Sequence, residues 1–241
     1  MRTTLVTGSS RGIGRAIALR FAGPDTNVVV NYRTDANAAA EVVDEVAARG
    51  GKAVAIGADI ADPVQLDRLF DQAEQHFGEL DVVVGNVGTA RFAPVARTTD
   101  DDFDTMFATN AKATFRLLRA AAGRVRDGGR IVVISAGVTA TVQPGTGVYA
   151  ASKAAGNEMV RILAHELGPR SVTVNAVRPG PVRTGALLGN RSPEQLRELA
   201  AATPLRRIGE PDDIAAVVDF LASPDGGWLT GQLINAGGGL F

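Results

Sequence analysis

The chain has only two tyrosines, Tyr32 and Tyr149, and the second stands four residues before Lys153. On a helix that spacing puts both side chains on one face, about one turn apart. An ammonium beside a phenol stabilises the phenolate, so the pair predicts a tyrosine pKa drawn down from near 10 toward working pH. Such a group is a poised general acid and base. At the other end of the chain, Thr7-Gly8-Ser9-Ser10-Arg11-Gly12-Ile13-Gly14 leads from a short apolar run directly into a helical pattern. Its glycines permit a tight turn and close backbone approach. N–H groups and the positive end of a helix then face an anion, and a pyrophosphate fits there.

These groups need a scaffold, and the composition allows one. The 241 residues are 45% hydrophobic and 21% charged, which excludes disorder as the main state. A net charge of -1 provides no field for nucleic acid or acidic membranes. With no cysteine and two histidines, disulfides and thiolate metal sites are excluded and no metal is expected; His76 and His165 fall in helical patterns and read as ordinary helix residues. The first residues lack a signal-peptide apolar stretch, and no run approaches the roughly eighteen residues of a membrane span. A cytoplasmic protein is expected.

Short β-branched runs alternate with longer Ala-rich helical patterns along the whole chain. Strands are predicted at 3–7, 27–31, 53–57, 81–85, 130–135, 172–177 and 232–235. Helices are predicted near 13–21, 36–49, 63–77, 101–123, 148–167 and 211–222. Asp62 before Pro63 is a helix start. No linker divides the chain, so one domain over residues 1–241 is expected: an α/β, Rossmann-type, doubly wound parallel sheet of about seven strands with helices on both faces. Ligands of such sheets bind beyond the carboxyl ends of the strands. At the end of the second strand, Val30-Asn31-Tyr32-Arg33 lacks the acid that would hold a ribose 2′-hydroxyl. Arg33 and Arg11 could face a 2′-phosphate instead, each charge-assisted bond contributing roughly 1.5 to 3 kcal/mol. That predicts a preference for NADP(H) of about tens- to hundreds-fold.

The glycine spacing G-x-x-x-G-x-G resembles the short-chain dehydrogenase/reductase family. So do Asp59, Gly85-Asn86-Val87-Gly88, Asn110, Tyr149-Ala150-Ala151-Ser152-Lys153, Pro179-Gly180 and the stretch from Gly231 to Gly239. Within the family the chain looks most like 3-oxoacyl-acyl-carrier-protein reductases and the ketone and hydroxynaphthalene reductases. The resemblance implies reduction of a ketone or 3-oxoacyl thioester: NADPH delivers hydride to the carbonyl carbon and Tyr149 gives the oxygen a proton. It implies that Lys153 also grips the nicotinamide ribose and that Asn110 holds a water in a proton relay. Cofactor contacts are implied for Gly8, Ser10, Arg11, Gly12, Ile13, Gly14, Tyr32 in the acidic slot, Arg33, Asp59 at the adenine amino group, Ile60, Asn86, Gly88, Pro179, Gly180, Val182 and Thr184.

Two departures stand out against that family. The carbonyl-orienting serine commonly lies thirteen positions before the tyrosine, where this chain has Ala136; Ser135, fourteen before, takes the role, with Thr139 or the tyrosine alone as alternatives. Gly85 lacks a side chain that usually ties adjacent strands, which predicts an effect on stability. Residues 185–207 are polar with few apolar anchors and read as a mobile substrate lid, while Arg91, Phe92 and residues 142–146 line the pocket. Arg116, Arg119, Arg124, Arg126, Arg130, Arg161 and Arg170 either receive an acidic acyl carrier protein or form solvated faces. The resemblance also implies a homotetramer or dimer. A non-catalytic NADP(H)-binding regulator and an NAD-dependent alcohol dehydrogenase are the other functional readings.

Overall fold

Seven runs rich in Val and Ile pair side by side in one parallel sheet: β1 (Arg2–Val6), β2 (Thr26–Tyr32), β3 (Lys52–Gly57), β4 (Leu80–Gly85), β5 (Val125–Ile134), β6 (Thr173–Pro179) and β7 (Leu233–Ala236). The order across the sheet is β3-β2-β1-β4-β5-β6-β7. The chain winds outward from β1 in one direction to β3, then in the other from β4 to β7, so a crevice opens beyond the ends of β1 and β4. The protein is a computed structural model that describes residues 1–189 and 191–241.

Alternation along the strands sends side chains to two buried layers. Val6, Val30, Val84, Val132, Ile134 and Val177 pack with Ile17 of α1 (Gly12–Arg20), Val42 of α2 (Ala36–Ala48) and Ile214 of α9 (Pro211–Ala222). Leu5, Val29, Val83, Ile131, Val133 and Ala176 pack with Phe70 of α3 (Pro63–Phe77), Leu117 of α5 (Ala113–Arg124) and Val160 of α6 (Gly147–Leu167). Asp62 caps α3 as predicted, accepting from the amides of Val64 at 2.8 Å and Gln65 at 3.1 Å.

One feature departs from the sequence reading and two add to it. The single helix expected over 101–123 is α4 (Asp100–Met106), a π-helical segment at Phe107–Lys112, and α5. The π segment adds a residue to the turn that carries Asn110, whose side chain is bonded to two other elements; apolar periodicity does not register one inserted residue. The proposed lid contains two helices, α7 (Gly185–Leu188) and α8 (Pro193–Ala202), with residue 190 of that segment outside the described residues. Ser192 and Gln195 form a reciprocal capping box that starts α8. Finally, the space that a side chain at Gly85 would take is filled: a Cβ there would lie 2.4 Å from Leu117 Cδ2. Leu117 supplies the packing that the missing side chain removes.

Among the described residues no helix is long and apolar enough to cross a membrane, and no cluster of three His, Asp or Glu could hold a metal ion.

Candidate active site

The loop after β1 is shaped by glycines that nothing larger can replace. Gly8 and Gly12 have φ of 60° and 58°, in the left-handed region. Gly14 lies so close beneath the loop that a Cβ would sit 2.3 Å from the Gly8 carbonyl oxygen and 2.5 Å from Asn86 Nδ2. Two asparagines hold this cradle. Asn31 Oδ1 accepts from the Gly8 amide at 3.1 Å while its Nδ2 donates to the Ala58 and Ile56 carbonyls at 3.1 and 3.2 Å. Asn86 Nδ2 donates to the Gly8 carbonyl at 3.1 Å, and its amide donates to Thr7 Oγ1 at 2.9 Å. Asn31 was not singled out from the sequence. Its signal is a polar residue inside Val28-Val29-Val30-Asn31-Tyr32, buried with its amide spent on three neighbouring strands and loops.

The other residues expected from the sequence to contact a cofactor lie on the neighbouring loops. Ser10 is half-buried, and exposed Arg11 precedes α1 without a side-chain capping bond. Ile13 packs on the α1 side of the sheet. Gly57 leaves room for the Tyr32 ring, which a Cβ would meet at 3.1 Å. Arg33 is exposed, its Nη1 3.9 Å from Asp59 Oδ2, while Asp59 Oδ1 accepts from the Ala61 amide at 2.9 Å around buried Ile60. The loop after β6 comes over from the opposite side. The Gly180 amide donates to the Ala236 carbonyl at 3.1 Å, Val182 is buried and bridges to Gly209, and Thr184 Cγ2 would lie 3.5 Å from a Cβ at Gly12. Tight backbone, an N-terminal helix end, two exposed arginines and no acid at the end of β2 together fit a dinucleotide that carries an extra phosphate.

Gly88 is the gap around which the polar side chains gather. A Cβ at Gly88 would lie 2.6 Å from Lys153 Nζ and 3.1 Å from Asn110 Oδ1. Asn110 accepts from the Thr89 amide at 2.8 Å and donates to the Thr89 carbonyl at 2.8 Å and to Ser152 Oγ at 2.9 Å. Ser152 Oγ donates in turn to the Tyr149 carbonyl at 2.8 Å. The π segment, the loop after β4 and the start of α6 are thereby one bonded unit. Lys153 Nζ donates to the Ile134 carbonyl at 3.1 Å.

The strand alternation settles the orientation of the next residue. Val133 faces the α5/α6 layer and Ile134 the opposite one, and the ladder continues with the Ser135 amide donating to the Val177 carbonyl at 2.8 Å. Ser135 therefore turns toward α6 and Ala136 away from it. The Ser135 hydroxyl is buried and has no partner. Thr139, the alternative donor, has its hydroxyl proton on the Ala136 carbonyl at 2.8 Å. It is not free to serve a substrate.

One expectation is reversed. Lys153 does not draw the phenol down: burial pushes Tyr149 up to about 12 and pulls Lys153 down to about 8. Both groups lose water, and burial disfavours the charged form of each. Outside the crevice wall, Phe92 is 59% exposed and meets the Tyr149 ring edge-on, centroids 5.7 Å apart and planes at 84°. Phe92 is thus an exposed ring and not a core contact, and Arg91 beside it pairs with Asp102 at 3.0 Å.

Most of the arginines around β5 are already engaged. Arg124 pairs with Asp71 and Glu74, Arg126 with Asp81, Arg161 with Glu158 and Arg170 with Asp127. Arg116 donates to the Ala61 carbonyl, Arg130 to those of Gly128 and Gly129, and Arg119 lies over the Phe115 ring.

Known proteins share this arrangement across nearly the full length. A family model described as "Enoyl-(Acyl carrier protein) reductase" matches residues 8–241. Versicolorin reductase stcU of Emericella nidulans is 42% identical over 253 residues, covering 100% of this chain and 96% of the relative. The hydroxynaphthalene reductase-like protein Arp2 of Metarhizium majus is 43% identical over 252 residues, covering 99% and 94%. The solved structure of the angucycline C-6 ketoreductase LanV with bound NADP has a TM-score of 0.93 at 38% identity, covering 99% of this chain and 95% of that one. Agreement of that extent in sequence and in fold places the chain in the short-chain dehydrogenase/reductase family.

Proposed function

We propose that the protein reduces a ketone to a secondary alcohol with NADPH. The observation that carries this reading is the buried Ser135 hydroxyl without a partner, on the α6 side of β5, directly after the carbonyl that Lys153 holds. A free buried hydroxyl is costly unless a ligand completes it. When bound, NADPH supplies the hydride for the carbonyl carbon. Ser135 donates to the carbonyl oxygen and orients it, and Tyr149 transfers its phenolic proton to that oxygen as the C=O bond becomes C–OH. Lys153 holds positive charge beside the phenolate that remains, which regains its proton from solvent. Asn110 fixes Thr89 and α6 on either side of Lys153. The cradle with Gly8, Gly12 and Gly14 holds the pyrophosphate, and Arg11 and Arg33 take the 2′-phosphate.

A free planar ketone is favoured over a carrier-bound thioester. Phe92 offers an exposed aromatic wall on Tyr149, the named relatives include a hydroxynaphthalene reductase-like protein, and the arginines that would receive an acidic carrier are mostly paired. We also infer that a second copy covers the face where Phe103, Phe115 and Ile162 are exposed, and a further contact at Trp228, which is 98% exposed. The mass of the purified protein by light scattering reads that assembly.

The function is tested by cofactor oxidation against a hydroxynaphthalene or quinone, a cyclic diketone, an acetoacetyl thioester and an enoyl thioester. Each is run with NADPH and NADH, for wild type and Ser135→Ala. The ring ketones are expected to turn over fastest, with NADPH, and Ser135→Ala to lose on the order of a hundredfold in kcat. Turnover of the enoyl thioester alone, or tight NADPH binding with no turnover, sinks the reading.

The pH dependence has a definite sign. Tyr149, at about 12, stays protonated through the working range, so it does not limit reduction on the alkaline side. Lys153 loses its charge as pH rises through about 8. The kcat/KM for reduction is therefore expected to fall by about tenfold per unit above that point. A profile that stays flat to about pH 10 would show that the lysine charge is not required.

A further inference from the structure

We infer that Thr139 and Asn157 are positioning residues for the serine: a hydroxyl relay from α6 fixes the Ala136–Gly137 peptide, one residue beyond Ser135, and thereby aims the Ser135 hydroxyl. The inference rests on the ketoreductase reading above. Asn157 lies four residues beyond Lys153, as Lys153 lies four beyond Tyr149, so one face of α6 carries all three. Asn157 is buried, and its Nδ2 donates to Thr139 Oγ1 at 3.1 Å. That bond occupies an acceptor site on the threonine and leaves its proton for the Ala136 carbonyl, 2.8 Å away. The peptide before Ser135 is held from the same helix, since Lys153 Nζ donates to the Ile134 carbonyl at 3.1 Å. Carbonyls on both sides of Ser135 are thus tied to the helix that carries Tyr149, while the Ser135 amide is tied to β6.

The relay matters because Ser135 is displaced by one position from the family's common spacing, and its hydroxyl has no partner within the protein to hold its rotamer. Its direction depends on the backbone alone. Beside the Lys153 bond to the Ile134 carbonyl, the bond from Thr139 to Ala136 is the side-chain restraint on that backbone. The turn it closes also carries the Thr139 amide bond to the Ala136 carbonyl at 3.1 Å and the Ala140 amide bond to Gly137 at 2.8 Å.

The test combines Thr139→Val, which keeps shape and removes the hydroxyl, with Thr139→Ser, which restores it, each in the wild-type and Ser135→Ala backgrounds. Thr139→Val is expected to lower kcat about tenfold and leave the Kd for NADPH unchanged, and Thr139→Ser to recover most of the loss. In the Ser135→Ala background the same Thr139→Val change is expected to cost less than about twofold, because the group it aims is gone. Amide exchange at Thr139 and Ala140 is expected to quicken in the Val variant and not in the Ser variant. Equal losses in both backgrounds, or no loss and no change in exchange, overturn the inference while the function stands. Absence of turnover by the wild-type protein overturns both.

Discussion

Tyr149→Phe lowers kcat for ketone reduction by roughly 10²- to 10⁴-fold and leaves NADPH binding within about twofold of wild type. The substitution removes only the phenolic proton. The edge-on contact with Phe92 needs a ring and not a hydroxyl, and Ser152 bonds the backbone carbonyl of residue 149, so α6 keeps its place. Burial holds the phenol at about 12, so it reaches the carbonyl oxygen fully protonated, and nothing else in the crevice can replace it. A serine hydroxyl such as that of Ser135 is a far weaker acid, Thr139 is engaged with Ala136, and Lys153 is held at the Ile134 carbonyl. Single-turnover reduction and cofactor fluorescence separate the two steps. A variant that kept about a tenth or more of wild-type kcat would mean that water or another group delivers the proton.

Gly14→Ala is expected to weaken NADPH binding by about 5- to 150-fold and to lower the melting temperature. A methyl there meets the Gly8 carbonyl oxygen at 2.3 Å, which is backbone and cannot turn away, and Asn86 Nδ2 at 2.5 Å. The loop must lift, and overpacking of this kind costs about 1 to 3 kcal/mol. Asn86 would lose its bond to the Gly8 carbonyl in the same movement. Gly123→Ala is the matched control: it lies within α5, with nothing within 4 Å of its Cβ position, and the change is expected to be neutral or stabilising by about 1 kcal/mol. Isothermal titration with NADPH and thermal melts read both variants. Wild-type affinity for Gly14→Ala would show that the loop does not approach a pyrophosphate as closely as its backbone permits.

The strands were legible because buried parallel strands announce themselves as β-branched runs; six appear within two residues of their predicted bounds, and β5 starts five residues earlier than predicted. Helix α3 was legible to the residue because Asp62 and Pro63 start it by local chemistry. The break in the helix through Asn110 was not, since a π turn preserves the apolar stripe while its cause, the bonds to Thr89 and Ser152, comes from residues far along the chain. Asn31 escaped for the same reason: its task is to tie the Gly8 amide to the ends of β2 and β3, and only pairing of those strands brings the three together.

The sequence by itself determined which chemistries are present: an anion loop from glycine spacing, a phenol and an amine one helical turn apart, and a tyrosine followed by an arginine where an acid would select NAD. These are statements about covalent neighbours, and helix and strand periods carry them directly into space. Tertiary structure decided how those groups behave. Burial of Tyr149 and Lys153 moved both away from the charged state, against the direction their spacing alone predicts. Packing left the Ser135 hydroxyl buried without a partner, while a bond to the Ala136 carbonyl engaged that of Thr139. Carboxylates distant in sequence claimed the arginines near β5. Desolvation and hydrogen-bond partnership depend on what the rest of the chain packs against a group, and that is set only when the sheet and its two helical layers close.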